Sequence, residues 1–461
     1  MSLRSDQREV AERLIGLLER YSLAALWAPT GWGKSYTLAY IVKSIGGKWL
    51  WAVPLISIEY SVAQALRAFS VEYVLSVGKE RLCLKNYSNV DFRLRSVCMS
   101  CSFNVRPPEG VVNNIININN IDFGTIKGIA ETNMVCPYSL QEETIRRKLR
   151  RGESIVVLLN HKRIPKFAKY VDFVVIDEAH SLFTPRVTRV PRRIIDVLFH
   201  DVLRIDADTK DAEVVKTILM ENLLNLAASD NVSDLIDLNT MVDFVDANIV
   251  YYDVNTDEYV SVSIDGLPDL RGKKAIFMSA TLPPSLLSLP AVHVKPAKII
   301  EAKIPRGAIA VTAESLRNDE KRKRILDLLK RYLSSKTVIF TTESKQVLLD
   351  DATYEDELSI SNICDHDIIV LSYFGKFSEG YRLTCFHRAI LMTLPLLPPD
   401  VMHRLEVRGI SSKDVVITKV IQSIGRLLPQ DQPEIILLDR RFKEYCADLE
   451  TYGIKCVEEP G

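Results

Sequence analysis

The chain alternates short apolar runs with longer stretches of helical pattern over most of its length. Three apolar runs each end in a polar motif, and they lie at 23–27, 171–176 and 275–278. In the second half, short apolar runs that read as buried strands lie at 338–341, 368–371, 389–392 and 435–438. Such runs, separated by helical or loop segments, predict an α/β protein with a parallel sheet in each half.

The first apolar run leads into a glycine-rich loop at 28–35, and a helical pattern follows at 36–44. Glycines let backbone N–H groups approach phosphate oxygens, and the start of the helix adds its positive end. In this arrangement Lys34 would reach the outer phosphates of a triphosphate, and Ser35 would ligate magnesium. Ala28 stands where the strict pattern has glycine, so a chance loop is the alternative. The residues expected to bind the nucleotide here are Thr30, Gly31, Gly33, Lys34 and Ser35.

The second apolar run ends in Asp177-Glu178-Ala179-His180. Ligands of open α/β sheets collect at this end of the strands. Asp177 would hold magnesium, and Glu178 would orient the attacking water. The alternative is a helix N-cap followed by a first-turn acid. The third run is followed by Ser279-Ala280-Thr281, which by itself indicates no function.

The second half contains no phosphate loop but carries two polar segments, 375–380 and 422–426. The latter reads Gln-Ser-Ile-Gly-Arg and displays Gln422 and Arg426 on one short stretch. An arginine supplied to the γ-phosphate stabilises charge in the transition state of phosphoryl transfer. Arg426 is the candidate for that role, with a surface salt bridge as the alternative.

Composition and charge limit the partners. The 59 basic and 59 acidic residues cancel, so contact with nucleic acid depends on local patches. The most basic segment is 141–170. No apolar run is long enough to cross a membrane, and the N-terminus lacks an apolar signal core. We therefore expect a cytoplasmic protein, or a nuclear one in a eukaryote, without a membrane partner.

The eight cysteines divide into two sets. Four lie between the loop and the Asp-Glu pair, and they are Cys83, Cys98, Cys101 and Cys136. Four thiolates suit tetrahedral zinc or an iron–sulfur cluster, and ligand chemistry alone favours zinc. The other four are predicted to be reduced, buried packing thiols, namely Cys364, Cys385, Cys446 and Cys456.

The order of these motifs resembles the XPD-type helicases of superfamily 2, relatives of the DinG helicases, over nearly the whole chain. Cys136-Pro137-Tyr138, together with the other three cysteines, is the most specific part of the resemblance. The resemblance implies two RecA-like P-loop motor domains and a [4Fe–4S] cluster, which reverses the preference for zinc. It also implies that Gln7 and Glu379 belong to the nucleotide site.

The same resemblance implies a division into domains. The first motor domain would comprise 1–80, 141–184 and 266–305, and the second would comprise 306–461. An iron–sulfur cluster domain at 81–140 and a reduced, helical arch-like insertion at 185–265 would interrupt the first. Within the arch, 185–245 is expected to be mainly helical and 248–264 to form a hairpin.

The function implied is that of an ATP- and Mg²⁺-dependent, monomeric DNA helicase of the repair type. It would move 5′ to 3′ on single-stranded DNA or on a duplex with a single-stranded tail. Two positions depart from the family pattern: Arg382 replaces an acid, and Leu428-Pro429 lacks a second arginine. These departures leave two alternatives, an ATPase that translocates or remodels without unwinding, and a decayed helicase that only binds DNA.

Overall fold

The computed structural model describes most of the chain. The residues outside the description are 1, 30, 55, 85–97, 99–100, 104, 208, 228–231, 233–234, 296–298, 343–348, 350, 360–361, 376, 378–382, 428–432 and 460–461. The chain folds into two compact units. The first comprises Met1–Leu182, Arg186–Ala280 and Leu289–His293, and the second comprises Phe183–Pro185, Thr281–Ser288 and Val294–Gly461.

The strands in chain order are β1 (Leu23–Trp27), β2 (Lys48–Val53), β3 (Tyr73–Ser76), β4 (Ile155–Asn160), β5 (Phe173–Asp177), β6 (Arg186–Pro191), β7 (Ile249–Asp253), β8 (Glu258–Ser263), β9 (Lys274–Ser279), β10 (Ala291–His293), β11 (Ile300–Ile304), β12 (Thr337–Thr341), β13 (Thr353–Tyr354), β14 (Ile368–Ser372), β15 (Arg388–Leu391), β16 (Glu434–Leu437) and β17 (Ile454–Glu458).

The α-helices in chain order are α1 (Ser5–Arg20), α2 (Lys34–Ile45), α3 (Ile56–Ala68), α4 (Lys79–Leu82), α5 (Glu109–Ile116), α6 (Phe123–Thr132), α7 (Pro137–Arg150), α8 (Ile164–Phe167), α9 (Arg192–Val197), α10 (Ala212–Ala227), α11 (Leu238–Val245), α12 (Ala313–Arg317), α13 (Asp319–Lys330), α14 (Pro399–Val407), α15 (Ser412–Gly425) and α16 (Cys446–Thr451). In the described part of the chain, none of the helices has the length and apolarity needed to cross a membrane.

The first unit is built on a parallel sheet with the strand order β10-β1-β9-β5-β2-β4-β3. Strands β1, β2, β4 and β5 are almost continuously apolar because both of their faces are buried. The predicted strands at 23–27, 171–176 and 275–278 are confirmed as β1, β5 and β9, within two residues at each end.

The second unit contains another parallel sheet, in the order β13-β14-β12-β15-β16-β11-β17. Helix α13 buries Ile325 and Leu329 against a cluster that includes Ile339 of β12. A second cluster contains Phe340 and, from α15, Val420. Because neighbouring strand residues face opposite sides, helices cover both faces of the sheet. The predicted parallel layer in the second half is therefore confirmed.

A small antiparallel sheet, β6-β8-β7, lies in the segment predicted to be an arch. The hairpin predicted at 248–264 is confirmed as β7 and β8, joined by a turn in which Asp257 has φ 56°. The expectation of mainly helical structure at 185–245 is wrong at its start, because β6 pairs with β8. Buried side chains of β6, such as Val190, join those of α10 and α11 in one core.

The four cysteines of the second unit form disulfides, Cys364–Cys385 and Cys446–Cys456. The prediction of reduced packing thiols at these positions is wrong. In each pair the Cα atoms lie 5.7 Å apart, within the range that a disulfide spans. Cys446 begins α16 and Cys456 lies in β17, so the return of the chain into the sheet brings them together. The sequence separations of 21 and 10 residues did not indicate these two pairings.

Helix α3 carries a carboxyl group into the interior of the first unit. Glu59 is 1% exposed, and neither of its carboxyl oxygens has a hydrogen-bond partner among the described residues. Burial raises the pKa of Glu59 from 4.5 to about 8, although the charges of Arg163 and Arg81 oppose the shift. The folded protein therefore holds a proton here that the unfolded chain releases above its ordinary pKa.

We expect the Glu59→Gln variant to gain stability over the wild type as the pH rises. Between pH 4.5 and 8 the folded state binds one proton more than the unfolded state, so wild-type stability falls with pH. The slope is at most about 1.4 kcal/mol per pH unit, and the neutral glutamine removes it. Thermal unfolding from pH 5 to 8 measures the difference. The exposed control Glu12→Gln should follow the wild type, and a constant difference for Glu59→Gln would contradict the assignment.

Candidate active site

Three neighbouring strands bring the polar motifs of the first unit to one edge of its sheet. Strand β9 lies between β1 and β5, and all three are parallel. The register pairs Trp27 with Ser279 and Asp177 with Met278. The glycine-rich loop, the Ser-Ala-Thr motif and the Asp-Glu pair therefore leave the sheet side by side at its carboxyl edge. This is where α/β sheets bind ligands.

The glycine-rich loop turns directly into α2. Gly31 and Gly33 have φ of 80° and 105°, a region that residues with a side chain rarely adopt. Lys34 is buried, and its Nζ donates to the carbonyl oxygen of Ala28 at 3.1 Å. Ser35 stands in the first turn of the helix. Thr30 lies outside the described residues.

Gln7 of α1 lies against this loop. Its Nε2 donates to the carbonyl oxygen of Trp32 at 2.9 Å, and its Oε1 accepts from the backbone N–H of Arg4 at 3.1 Å. The Nη2 of Arg4 donates to the same Trp32 carbonyl at 2.8 Å. A Cβ added to Gly33 would lie only 2.3 Å from Gln7 Nε2. The packing thus requires glycine at position 33 and ties the first helix to the loop.

Asp177 ends β5 and is 3% exposed. Its Oδ1 accepts from the backbone N–H of Glu178 at 2.8 Å, and its Oδ2 accepts from Trp51 Nε1 at 3.4 Å. Burial, together with the neighbouring charge of Glu178, raises the pKa of Asp177 to about 7, whereas the charge of Lys34 lowers it. The influence of Lys34 reflects the closeness of the two motifs. A buried carboxylate of this kind gains most from a nearby cation.

Glu178 has φ 47°, an uncommon conformation for a residue with a side chain. Its Oε2 lies 3.4 Å from Ser279 Oγ and 3.4 Å from His180 Nδ1. The same His180 nitrogen lies 2.7 Å from Ser279 Oγ. The three side chains form one polar cluster beside Asp177. Sequence reasoning assigned no role to Ser279 or His180, although a polar motif after a third buried strand was the available signal.

His161 forms hydrogen bonds to the backbone at the end of β5. Its Nε2 lies 2.9 Å from the carbonyl oxygen of Asp177 and 3.2 Å from that of Ala52, so Nε2 must carry the proton. Its Nδ1 lies 3.1 Å from Ser181 Oγ. Burial lowers the pKa of His161 to about 4, despite these hydrogen bonds, and keeps the ring neutral. Nothing in the sequence pattern had singled this residue out.

Gln422 and Arg426 lie at the end of α15 in the second unit. Arg426 is buried, donates through Nη1 to the carbonyl oxygen of Phe377 and lies 5.7 Å from the centroid of the Phe340 ring. Gln422 Oε1 is buried without a hydrogen-bond partner in the described residues. The part that these two residues would play at the nucleotide stays a prediction. Glu379, Arg382 and Leu428-Pro429 lie outside the described residues.

The four cysteines of the predicted cluster domain are half-buried and belong to neither disulfide. Cys83 ends α4, Cys136 precedes α7, and Cys101 donates its backbone N–H to the Cys98 carbonyl at 3.3 Å. Lys79 Nζ lies 3.7 Å from Cys98 Sγ. Within the described ranges, no three histidine, cysteine or acidic side chains are grouped so that they could hold a metal ion. The four cysteines have the chemistry and the number that a four-thiolate site requires. In the described residues their side chains are not grouped around a common metal position.

The basic segment 141–170 is largely occupied by contacts within the first unit. Glu142 pairs with Arg146, Arg163 and Lys166. Further internal contacts join Arg147 to Glu143, Lys148 to Glu72 and Arg151 to Asn117. Lys148 is 3% exposed. The number of basic residues in 141–170 is therefore larger than the number of cations that could contact a nucleic acid.

Comparison with known proteins agrees with this architecture. Residues 1–203 match the family described as type III restriction enzyme, res subunit. A solved apo structure of XPD is similar with a TM-score of 0.56 and 16% identity, over 99% of this chain and 100% of that one. Xpd4 of S. tokodaii is similar with a TM-score of 0.53 and 15% identity, over 98% and 100%. No curated protein matches the sequence.

These likenesses establish the fold. The chain shares the two-sheet α/β architecture of the XPD structures over nearly its full length. The fold predicted from the resemblance to XPD-type superfamily 2 helicases is therefore confirmed.

We expect Gln7→Ala to weaken nucleotide binding about five-fold, because the one hydrogen bond by which Gln7 holds the loop is lost at roughly 1 kcal/mol. Titration calorimetry with ADP and with ATP measures the change. The matched control is Gln64→Ala, an exposed glutamine on α3 of the same unit. Equal affinity for Gln7→Ala and the control would show that Gln7 does not organise the loop.

Proposed function

We propose that the protein is an ATP-hydrolysing motor that acts on single-stranded DNA. The observation that carries the proposal is the meeting of Lys34, Ser35, Asp177 and Glu178 at the carboxyl edge of β1 and β5. A phosphate loop next to a strand-end Asp-Glu pair is the arrangement that binds and cleaves a nucleoside triphosphate.

The residues of the first unit divide the chemistry among them. Lys34 and the backbone N–H groups at the start of α2 would bind the outer phosphates of ATP. Glu178 would accept a hydrogen bond from the attacking water and take up its proton. His180 and Ser279 contact Glu178 and would keep its carboxylate oriented. In the second unit, Arg426 is the candidate to neutralise charge that develops on the γ-phosphate.

The residues of this edge fit Mg²⁺. Asp177 and Ser35 would hold the ion, since oxygen ligands are those that magnesium prefers. The burial that raises the pKa of Asp177 also makes a cation beside it favourable. When bound, magnesium neutralises charge on the phosphate oxygens.

We expect Glu178→Gln to lower ATP turnover by about 100-fold or more, because the amide cannot take up the proton of the attacking water. Steady-state hydrolysis with and without single-stranded DNA measures the effect. Glu153→Gln, an exposed residue of the same unit, serves as the control. ATP binding should persist in Glu178→Gln. A wild type without turnover in either condition would overturn the enzymatic proposal and leave a DNA-binding protein.

Strand separation, 5′ to 3′ movement and a role in repair form the finer part of the proposal. They rest on the resemblance of the motifs to XPD-type helicases and on the shared fold. Duplexes with a 5′ or a 3′ single-stranded tail separate the possibilities. Displacement of the 5′-tailed duplex alone would support the proposal, whereas DNA-stimulated hydrolysis without displacement would indicate a translocase.

The cysteines of the first unit extend the proposal to a [4Fe–4S] cluster on Cys83, Cys98, Cys101 and Cys136. Its support is the donor set, four half-buried cysteines that lie outside the two disulfides. The motif Cys136-Pro137-Tyr138 adds the resemblance to XPD-type helicases.

Anaerobically purified protein should contain iron and acid-labile sulfide in the ratio of such a cluster, together with visible absorbance. We expect Cys101→Ser to reduce all three, because one of four thiolate ligands is lost. The control, Cys446→Ser combined with Cys456→Ser, removes a disulfide of the second unit and should retain the metal. Stoichiometric zinc without visible absorbance would replace the cluster with a zinc site.

A further inference from the structure

A cavity of about 330 Å³ lies in the second unit, beside the end of β11 and along α13. It is lined almost entirely by charged side chains, the cations Arg306, Lys323, Arg324 and Arg331 and the carboxylates Glu320 and Asp327. The sequence patterns had given this region no role. Its residues belong to one unit, so the cavity is complete without the first.

The geometry of α13 produces this stripe of charge. The helix buries Ile325, Leu328 and Leu329 against the sheet. Charged residues at intervals of three and four then fall along one exposed side of the helix. Arg324 Nη2 donates to the carbonyl oxygen of Gly307 at 3.3 Å, which ties the turn after β11 to the middle of the helix. This hydrogen bond joins the two walls of the cavity, the turn at Gly307 and helix α13.

The cations around this cavity are not neutralised by ion pairs. Among the residues that the structure describes, none of Arg306, Lys323, Arg324 and Arg331 forms an ion pair with a carboxylate. This contrasts with the segment 141–170, where Glu142 alone engages three cations. Cations outnumber carboxylates in the lining, so the electrostatic preference is for an anion.

The shape of the stripe indicates an extended polyanion. From Lys323 to Arg331 the helix rises about 12 Å, farther than one phosphate group reaches. The lining contains no aromatic side chain on which a base could stack, and Leu328 is its single apolar member. Successive backbone phosphates fit these features, and contacts of that kind carry no sequence preference.

We propose that this cavity binds the sugar-phosphate backbone of nucleic acid and adds a phosphate-contacting site in the second unit. The proposal rests on the proposed function, since it takes single-stranded DNA as the polymer that the motor holds. Lys323, Arg306 and Arg331 contact phosphates, and Arg324 positions the turn at Gly307.

The test compares two triple variants of the full chain that lose the same charge. The cavity variant is Arg306→Gln, Lys323→Gln and Arg331→Gln, and it leaves Arg324 in place. The control variant is Arg317→Gln, Lys321→Gln and Lys330→Gln, exposed cations of the same segment that do not line the cavity. Thermal unfolding verifies that both variants fold. If the cavity variant does not fold, the single variant Lys323→Glu takes its place.

Fluorescence anisotropy with a labelled oligothymidylate, repeated over a series of salt concentrations, measures the binding. We expect the cavity variant to bind at least about ten-fold more weakly, with the slope of log affinity against log salt reduced by roughly 2 for three lost phosphate contacts. The control variant should change the slope little. Equal slopes for the cavity variant and the control would overturn the proposal.

ATP hydrolysis separates this proposal from that of the motor. In the cavity variant, basal turnover and turnover at saturating DNA should match the wild type, while the DNA concentration for half-maximal stimulation rises. A wild type without turnover would refute the motor, yet the salt slopes would still decide the phosphate site. If the cavity variant loses the binding to anionic lipid vesicles that the wild type shows, and its DNA binding is unchanged, the cavity binds another polyanion and the proposal is overturned.

Discussion

The parallel pairing of β1, β9 and β5 is the constraint on which the candidate active site depends. The strands are apolar and buried on both faces, so polar side chains can appear only where each strand ends. The register of β9 then sets Ser279 beside Trp27 and next to the end of β5. A shift of one residue would exchange the two faces of a strand and move its polar end away from the others.

The surroundings hold that edge in place by hydrogen bonds to the backbone. His161 fixes the carbonyl of Asp177 from below, and Gln7 holds the carbonyl of Trp32 from the first helix. Both contacts are made to backbone carbonyls and do not occupy the side chains of Asp177 and Lys34. Glu178 is held with φ 47°, and such conformations persist where the surrounding structure determines them strongly. This conformation suits the role proposed for Glu178, which requires a fixed orientation of its carboxylate.

The distribution of charge and of cysteines differs between the two units. In the first unit Glu142 and Glu72 neutralise many of the cations around α7, whereas α13 of the second unit presents cations that the described carboxylates leave unpaired. The cysteines also differ, since those of the second unit form two disulfides and those of the first unit belong to neither. Two units of similar architecture are therefore specialised by their side chains, as expected when function resides in sites carried by a common fold.

The sequence by itself determined three strands of the first sheet and four of the second, the glycine-rich loop and the position of the Asp-Glu pair, because each is a local pattern of apolar runs and turn residues. The hairpin at 248–264 was likewise local. Tertiary structure alone decided that β6 joins that hairpin, that Cys446 meets Cys456, and that His161 and Ser279 belong to the site. It also decided that many cations of 141–170 pair with carboxylates, whereas those of α13 form no ion pair among the described residues. Pairing between distant segments depends on the register and packing of the whole sheet, and a one-dimensional pattern does not contain that information.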